Sequence, residues 1–135
     1  MRLIIQVVAA LALLLAISTS AFAGTLEGNV PANRTTRIHA FTVADPAICA
    51  VAGKPKMTIS TEPKHGKISF KWEYIPAGKK FRNCTGGMMK AMSVYYTPAA
   101  GFRGTDSFAV GYSLPDMSDY ITIGYRGQKF VLHVK

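Results

Sequence analysis

Between Lys67 and Tyr74 apolar and polar positions alternate without a break. Ile68, Phe70, Trp72 and Tyr74 fall on one side, and Lys67, Ser69, Lys71 and Glu73 on the other. A period of two is the mark of a half-buried strand. Four large side chains on one face, each contributing about 1.5–3 kcal/mol when buried, predict a central strand of the core. The same alternation recurs at Val94 and Tyr96, at Phe108, Val110 and Tyr112, and at Phe130, Leu132 and Val134. Shorter strands are predicted over 24–30, over 35–43 (Ile38 and Ala40 alternating with Arg37, His39 and Phe41), over 56–60 and over 120–125. Arg126-Gly127 reads as a turn before a last strand over 129–135, and 113–119 reads as a loop. Almost no helix is expected after residue 23. The predicted inward set is Ile38, Ile59, Ile68, Phe70, Trp72, Val94, Tyr96, Phe108, Val110, Phe130, Leu132 and Val134.

Between two of these strands, Pro98, Gly101 and Gly104 force a corner, because proline cannot donate to a ladder and glycine tolerates positive φ. Asp106 stands at the mouth of the next strand, where a short acceptor can bond amides left free by the corner. It reads as a turn anchor and not as a catalytic or metal-binding carboxylate.

Pro63-x-His65-Gly66-Lys67-Ile68, Tyr95-Tyr96-Thr97-Pro98 and Gly101-Phe102-x-Gly104-Thr105-Asp106-Ser107-Phe108 together resemble the bacterial Ig-like, cadherin-like repeat of large secreted and surface proteins. The resemblance runs from about Met57 to the C-terminus. It implies an Ig-like antiparallel β-sandwich of seven to eight strands that serves as a spacer or adhesive unit and not as an enzyme. The chain departs from that pattern in 75–92, which reads as an extended hairpin with turns at Pro76-Gly78 and Gly86-Gly87.

Residues 1–23 change the picture of where this sandwich works. Arg2, an apolar run from Leu3 to Ile17 and a small-x-small site at Ala21-Phe22-Ala23 make a secretory signal peptide, too short to span a bilayer. The expected mature chain, 24–135, is one exported domain, periplasmic or secreted, with no transmembrane segment. With the last strand running to Lys135, neither a second domain nor a sorting signal is expected. Removing Arg2 takes the net charge from +9 to +8, which favours anionic partners. Nine basic residues lie between Lys54 and Lys90 against Glu62 and Glu73 only. Export makes nucleic acid an unsuitable partner, so an envelope protein or an anionic envelope polymer is expected.

An even pair of cysteines in an oxidising compartment, Cys49 and Cys84, reads as a disulfide. Neither sits in a C-x-x-C pair, which disfavours a thiol oxidoreductase and a cysteine zinc site. If they pair, the hairpin is pinned to the loop around Cys49, and Lys54, Lys56, Lys79, Lys80, Arg82 and Lys90 become a candidate anion-contacting end of the sandwich. Met88, Met89 and Met92 raise an alternative, soft thioether ligation of copper(I). His39, His65 and His133 share no metal-ligand spacing, and the acids of 113–119 lack the carboxylate density calcium needs. Asn33-Arg34-Thr35 and Asn83-Cys84-Thr85 fit the N-glycan pattern, which matters only in a eukaryotic pathway. No catalytic fingerprint is present, so neither an enzyme nor a cofactor is expected.

Overall fold

A computed structural model describes residues 23–45, 47–81, 84–115 and 123–135. The expected signal peptide therefore lies, except for Ala23, outside the described residues, as do Arg82, Asn83 and the whole segment between Pro115 and Ile123. The strands in chain order are β1 (Ala23–Val30), β2 (Thr36–Phe41), the two-residue β3 (Ala44–Asp45) and β4 (Ala50–Val51), β5 (Lys56–Thr61), β6 (Gly66–Pro76), β7 (Met88–Pro98), β8 (Gly104–Pro115) and β9 (Ile123–Val134). The only helical pieces among the described residues are two single 3-10 turns, Lys79–Phe81 and Thr85–Gly87.

The strands form a four-stranded sheet in the order β1-β9-β8-β5, a three-stranded sheet in the order β2-β7-β6, and a small β3-β4 hairpin. This is the all-β sandwich that the patterning predicts, with its seven long strands divided four and three between the two sheets. One pairing departs from the antiparallel expectation: β1 runs parallel to β9, from Thr25 beside Lys129 to Val30 beside Val134.

Both sheets feed one core. Val94, Tyr96 and Met92 from β7 meet Phe108 and Val110 from β8, and Phe130, Leu132 and Val134 from β9, with Val30 and Phe41 closing the ends. Phe108 stacks on Phe130 at 4.9 Å between ring centroids, an offset geometry that aromatic pairs favour. Ile38, Ile68, Phe70 and Trp72 are half-buried against this cluster.

Four expectations need correction. The central strand of the three-stranded sheet is β7; β6 is an edge, and Tyr74 at its far end is 65% exposed, beyond the cover of the opposite sheet. Ile59, on the edge strand β5, stays half-exposed outside the core cluster. On β2 the register shifts between Arg37 and His39, and this bulge turns Phe41 inward, where it is buried against Tyr112 at 4.3 Å. Finally, β8 continues to Pro115 and β9 is unbroken from Ile123, so Arg126-Gly127 is strand and not turn. Gly127 sits opposite Gly111 in the ladder, so the glycine that reads as a turn lies inside a paired strand.

The predicted corner is built as the residues suggest. Gly101 (φ 75°) and Gly104 (φ 140°) take conformations that disfavour other residues, and Asp106 is 3% exposed. Asp106 Oδ1 accepts the Lys64 amide at 3.0 Å and the Ser107 amide at 2.9 Å. Its Oδ2 accepts the His65 amide at 2.9 Å and the Tyr96 hydroxyl at 2.9 Å. One carboxylate thus ties the β5-β6 turn to the start of β8 and to the core tyrosine.

Gly66 follows that turn, and a Cβ built there would stand 2.5 Å from the Tyr96 ring and 2.7 Å from the Thr97 carbonyl oxygen. The ring is fully buried and the carbonyl is backbone, so neither can give way cheaply. Gly66→Ala is expected to destabilise the protein by about 2–3 kcal/mol through overpacking. Urea denaturation checks this. A loss below about 0.5 kcal/mol would mean that Tyr96 is not seated against this glycine.

Candidate functional site

Strand direction decides which basic residues can act together. β6 ends, and β5, β7 and β9 begin, at the end of the sandwich opposite the Asp106 corner. Lys54, exposed in the loop before β5, and Lys56, exposed at its first position, belong to that end. So do Lys79, exposed in the first 3-10 turn, and Lys90, near the start of β7. Lys80 lies in the same 3-10 turn, but its side chain is outside the described residues, as is all of Arg82. Of the other basic residues counted between Lys54 and Lys90, Lys64 and Lys67 fall at the opposite end, beside the Asp106 corner. Lys71 lies on the outer face of β6, 3.0 Å from Glu73. The charge excess of that stretch is therefore divided over the molecule, and only part of it forms one end. Arg126, exposed near the start of β9, adds to that end. Its reading as a turn residue hid it.

Cys49 and Cys84 are bonded, with their Cα atoms 5.4 Å apart and a sequence separation of 35. The bond joins the β3-β4 turn to the connection between β6 and β7. That connection is shorter than 75–92 suggests, because β6 and β7 pair from Gly66 opposite Pro98 to Pro76 opposite Met88. What remains is the segment 77–87, turned at Gly86 (φ 72°) and Gly87 (φ 60°). Cys49 itself has φ 54°, an uncommon conformation for a residue with a Cβ. The Asp45 carboxylate accepts the Ala47 amide at 2.8 Å and so helps set this tight turn.

Beside the disulfide lies a cavity of about 240 Å³. Val51, Tyr74, Phe81, Met88 and Met89 supply apolar walls, and Lys90 is the one charged residue among those lining it. Lys90 Nζ lies 4.4 Å from the centroid of the Tyr74 ring, within cation-π range. The ring that sequence alternation assigns to the core instead holds a cation at the surface.

The copper(I) alternative loses its third ligand here. Met92 is drawn into the core, leaving Met88 and Met89 on a cavity whose lining includes no histidine and whose cysteines are bonded to each other. Among the described residues no group of three or more His, Cys, Asp or Glu could hold a metal ion.

Two further polar clusters went unnoticed in the sequence. On the outer face of the three-stranded sheet, Tyr95 donates to Glu73 at 2.6 Å, with Lys71 at 3.0 Å and Arg37 at 4.0 Å. The Tyr95 hydroxyl first, and then its neighbours including Lys71, hold the Glu73 carboxyl down at about 2. On the outer face of the four-stranded sheet, Glu27, His133 and Thr105 are hydrogen-bonded in line across β1, β9 and β8. An acid, an imidazole and a hydroxyl in that order form a relay, but this one lies on an exposed sheet face. A hydroxyl nucleophile there lacks the dry, preorganised surroundings that stabilise an oxyanion. His39 is different again: burial lowers its pKa, and, half-buried, it packs edge-on to Phe41 at 4.6 Å.

Among the described residues no helix is long and apolar enough to cross a membrane. No family model matches the chain, and neither a curated protein nor a solved structure matches it.

Proposed function

We propose that this protein is a non-enzymatic, exported interaction module of the bacterial cell envelope, related in kind to the Ig-like, cadherin-like repeats. In this reading it contacts anionic envelope components through its disulfide-pinned basic end. One observation carries the proposal: Lys54, Lys56, Lys79 and Lys90 come from separate segments, and the fold brings them to one end. Two independent turns at that end are joined by a covalent bond, which fixes the surface that presents the charges. Exposed charges of one sign mainly speed encounter and are screened beyond about 8–10 Å at physiological salt. Binding should accordingly be of modest affinity and sensitive to salt.

The test is association of the purified protein with anionic phospholipid vesicles and with isolated envelope. It is run at about 50 mM and about 500 mM salt, a range that shortens the screening length more than twofold. The variant Lys54→Glu, Lys56→Glu, Lys79→Glu should lose at least about tenfold in association at the lower salt, since each reversed charge replaces attraction by repulsion. Its melting temperature should stay within about 3 °C of the parent, because exposed charges contribute little to stability. Association that ignores both salt and the triple reversal would reduce this end to a solvated surface.

A further inference from the structure

The basic end has an apolar interior, which simple attraction to a polyanion does not use. The cavity beside the disulfide opens where Tyr74 is 65% and Met88 42% exposed. Inside it the walls are aliphatic, aromatic and thioether: Val51, Phe81 and Met89 together with those two. Its volume of about 240 Å³ exceeds the roughly 150 Å³ of an apolar protein cavity that accepts benzene, which by proportion leaves room for roughly eight to ten carbon atoms. Methionine walls adapt to irregular apolar guests, and aromatic walls add contact area. The Lys90 ammonium is held over Tyr74, and among the described residues no acid lines the cavity. Of the acids nearest in sequence, Glu73 is engaged with Tyr95 and Lys71 on the outer face of the sheet.

We infer that this cavity is a binding site for an amphiphile with one short alkyl chain and an anionic head, the chain among Val51, Phe81, Met88 and Met89 and the head on Lys90. The inference deepens the proposed contact of this end with anionic envelope components and rests on that reading for its biological setting. Free alkyl carboxylates and the acyl chain ends of anionic lipids share the chemistry the site recognises. The cationic group belongs to the lining of a largely apolar pocket, so an apolar body and a negative head are both needed. A polyanion without an alkyl chain satisfies only half of it.

Calorimetric titration with sodium octanoate tests this directly, with octanol and acetate as the two half-ligands. Octanoate should bind at one site with a Kd in the range of about 0.1–1 mM, as expected for a ligand of its size. Octanol should bind at least about tenfold more weakly, and acetate not measurably. Lys90→Met keeps the unbranched stem and removes the charge; it should weaken octanoate about tenfold and leave octanol unchanged. Val51→Phe fills the cavity and should abolish both. Should Val51→Phe fail to fold, the Lys90→Met comparison still decides. No saturable octanoate binding, or equal octanoate affinity in Lys90→Met, overturns the inference.

Vesicles of phosphatidylglycerol separate the sources. Competition between octanoate and vesicles assigns the site to a lipid chain, and independent binding of the two assigns it to a free amphiphile. Salt-sensitive vesicle binding in a protein that ignores octanoate would overturn the cavity inference and leave the basic end standing. Octanoate binding in a protein that ignores vesicles would do the reverse.

Discussion

Replacing Cys49 and Cys84 together by serine should lower the unfolding free energy by about 4 kcal/mol. The bond closes a loop of 35 residues in sequence separation, and the chain-entropy model gives that figure from the loop length alone. Against a total of about 5–15 kcal/mol for an ordinary domain, this is a large share. The effect is expected through the unfolded chain, because the bond joins two turns at one end of the sandwich while Val94, Tyr96, Phe108 and Phe130 pack elsewhere. The double variant should therefore keep its strand-dominated circular dichroism and its half-buried Trp72 emission, while its denaturation midpoint falls. Its thermal midpoint should drop by roughly 15 °C or more. The cavity beside the bond should suffer too, with octanoate affinity lost before the fold is. Two alkylatable thiols in the non-reduced parent, or a stability difference under about 1 kcal/mol, would contradict this account.

Much of this architecture is legible in the chain because the two sheets bury one face each. Val94 and Tyr96, Phe108 and Val110, and Phe130, Leu132 and Val134 alternate in sequence and meet in space. Alternation does not say how far the opposite sheet extends, so Tyr74 reads as core although it projects past the cover. Nor does it register a bulge: one extra residue on β2 exchanges which side chains face inward, and Phe41 replaces the expected pattern. β7 shows a third blind spot. As the middle strand of its sheet it buries Ala91 and Ser93 on the outer face as well as Met92 and Val94 on the inner one, and no periodicity separates the two. The parallel pairing of β1 with β9 joins the two ends of the described chain, so the line of Glu27, His133 and Thr105 has no local signature. The basic end was half legible. Its lysines can be counted in the sequence, but only strand direction shows that Lys64 and Lys67 lie at the opposite end and that Arg126 joins the group.

Asp106→Ala should cost about 3–5 kcal/mol, because it strands several polar groups at once. The carboxylate accepts the Lys64, His65 and Ser107 amides and the Tyr96 hydroxyl, and at 3% exposure water cannot easily replace it. Tyr96 has one other acceptor, the His65 carbonyl at 3.3 Å. Asp106→Asn is the more informative change. One carboxamide oxygen can still accept the Lys64 and Ser107 amides, while the amide nitrogen faces the His65 N–H, donor against donor. A loss of about 2 kcal/mol near pH 7 is expected.

The pH dependence then separates the charge from the shape. Burial raises the pKa of Asp106, but the amides of His65 and Lys64, the Tyr96 hydroxyl and the Ser107 amide outweigh it and leave the carboxyl below its usual value. A group whose folded pKa is depressed contributes stability that is fully present above its unfolded pKa, about 3.9, and is lost as pH falls through the folded value. The parent should thus lose stability below about pH 4, and the gap between parent and Asp106→Asn should narrow over the same interval. Glu73, held at about 2, also contributes to the acid limb of the parent, but it is present in both proteins and cancels from the difference. Urea denaturation of both at pH 7, 4 and about 2.5 measures that difference. A gap that stays constant across this range would mean that Asp106 is not the ionised acceptor of the corner.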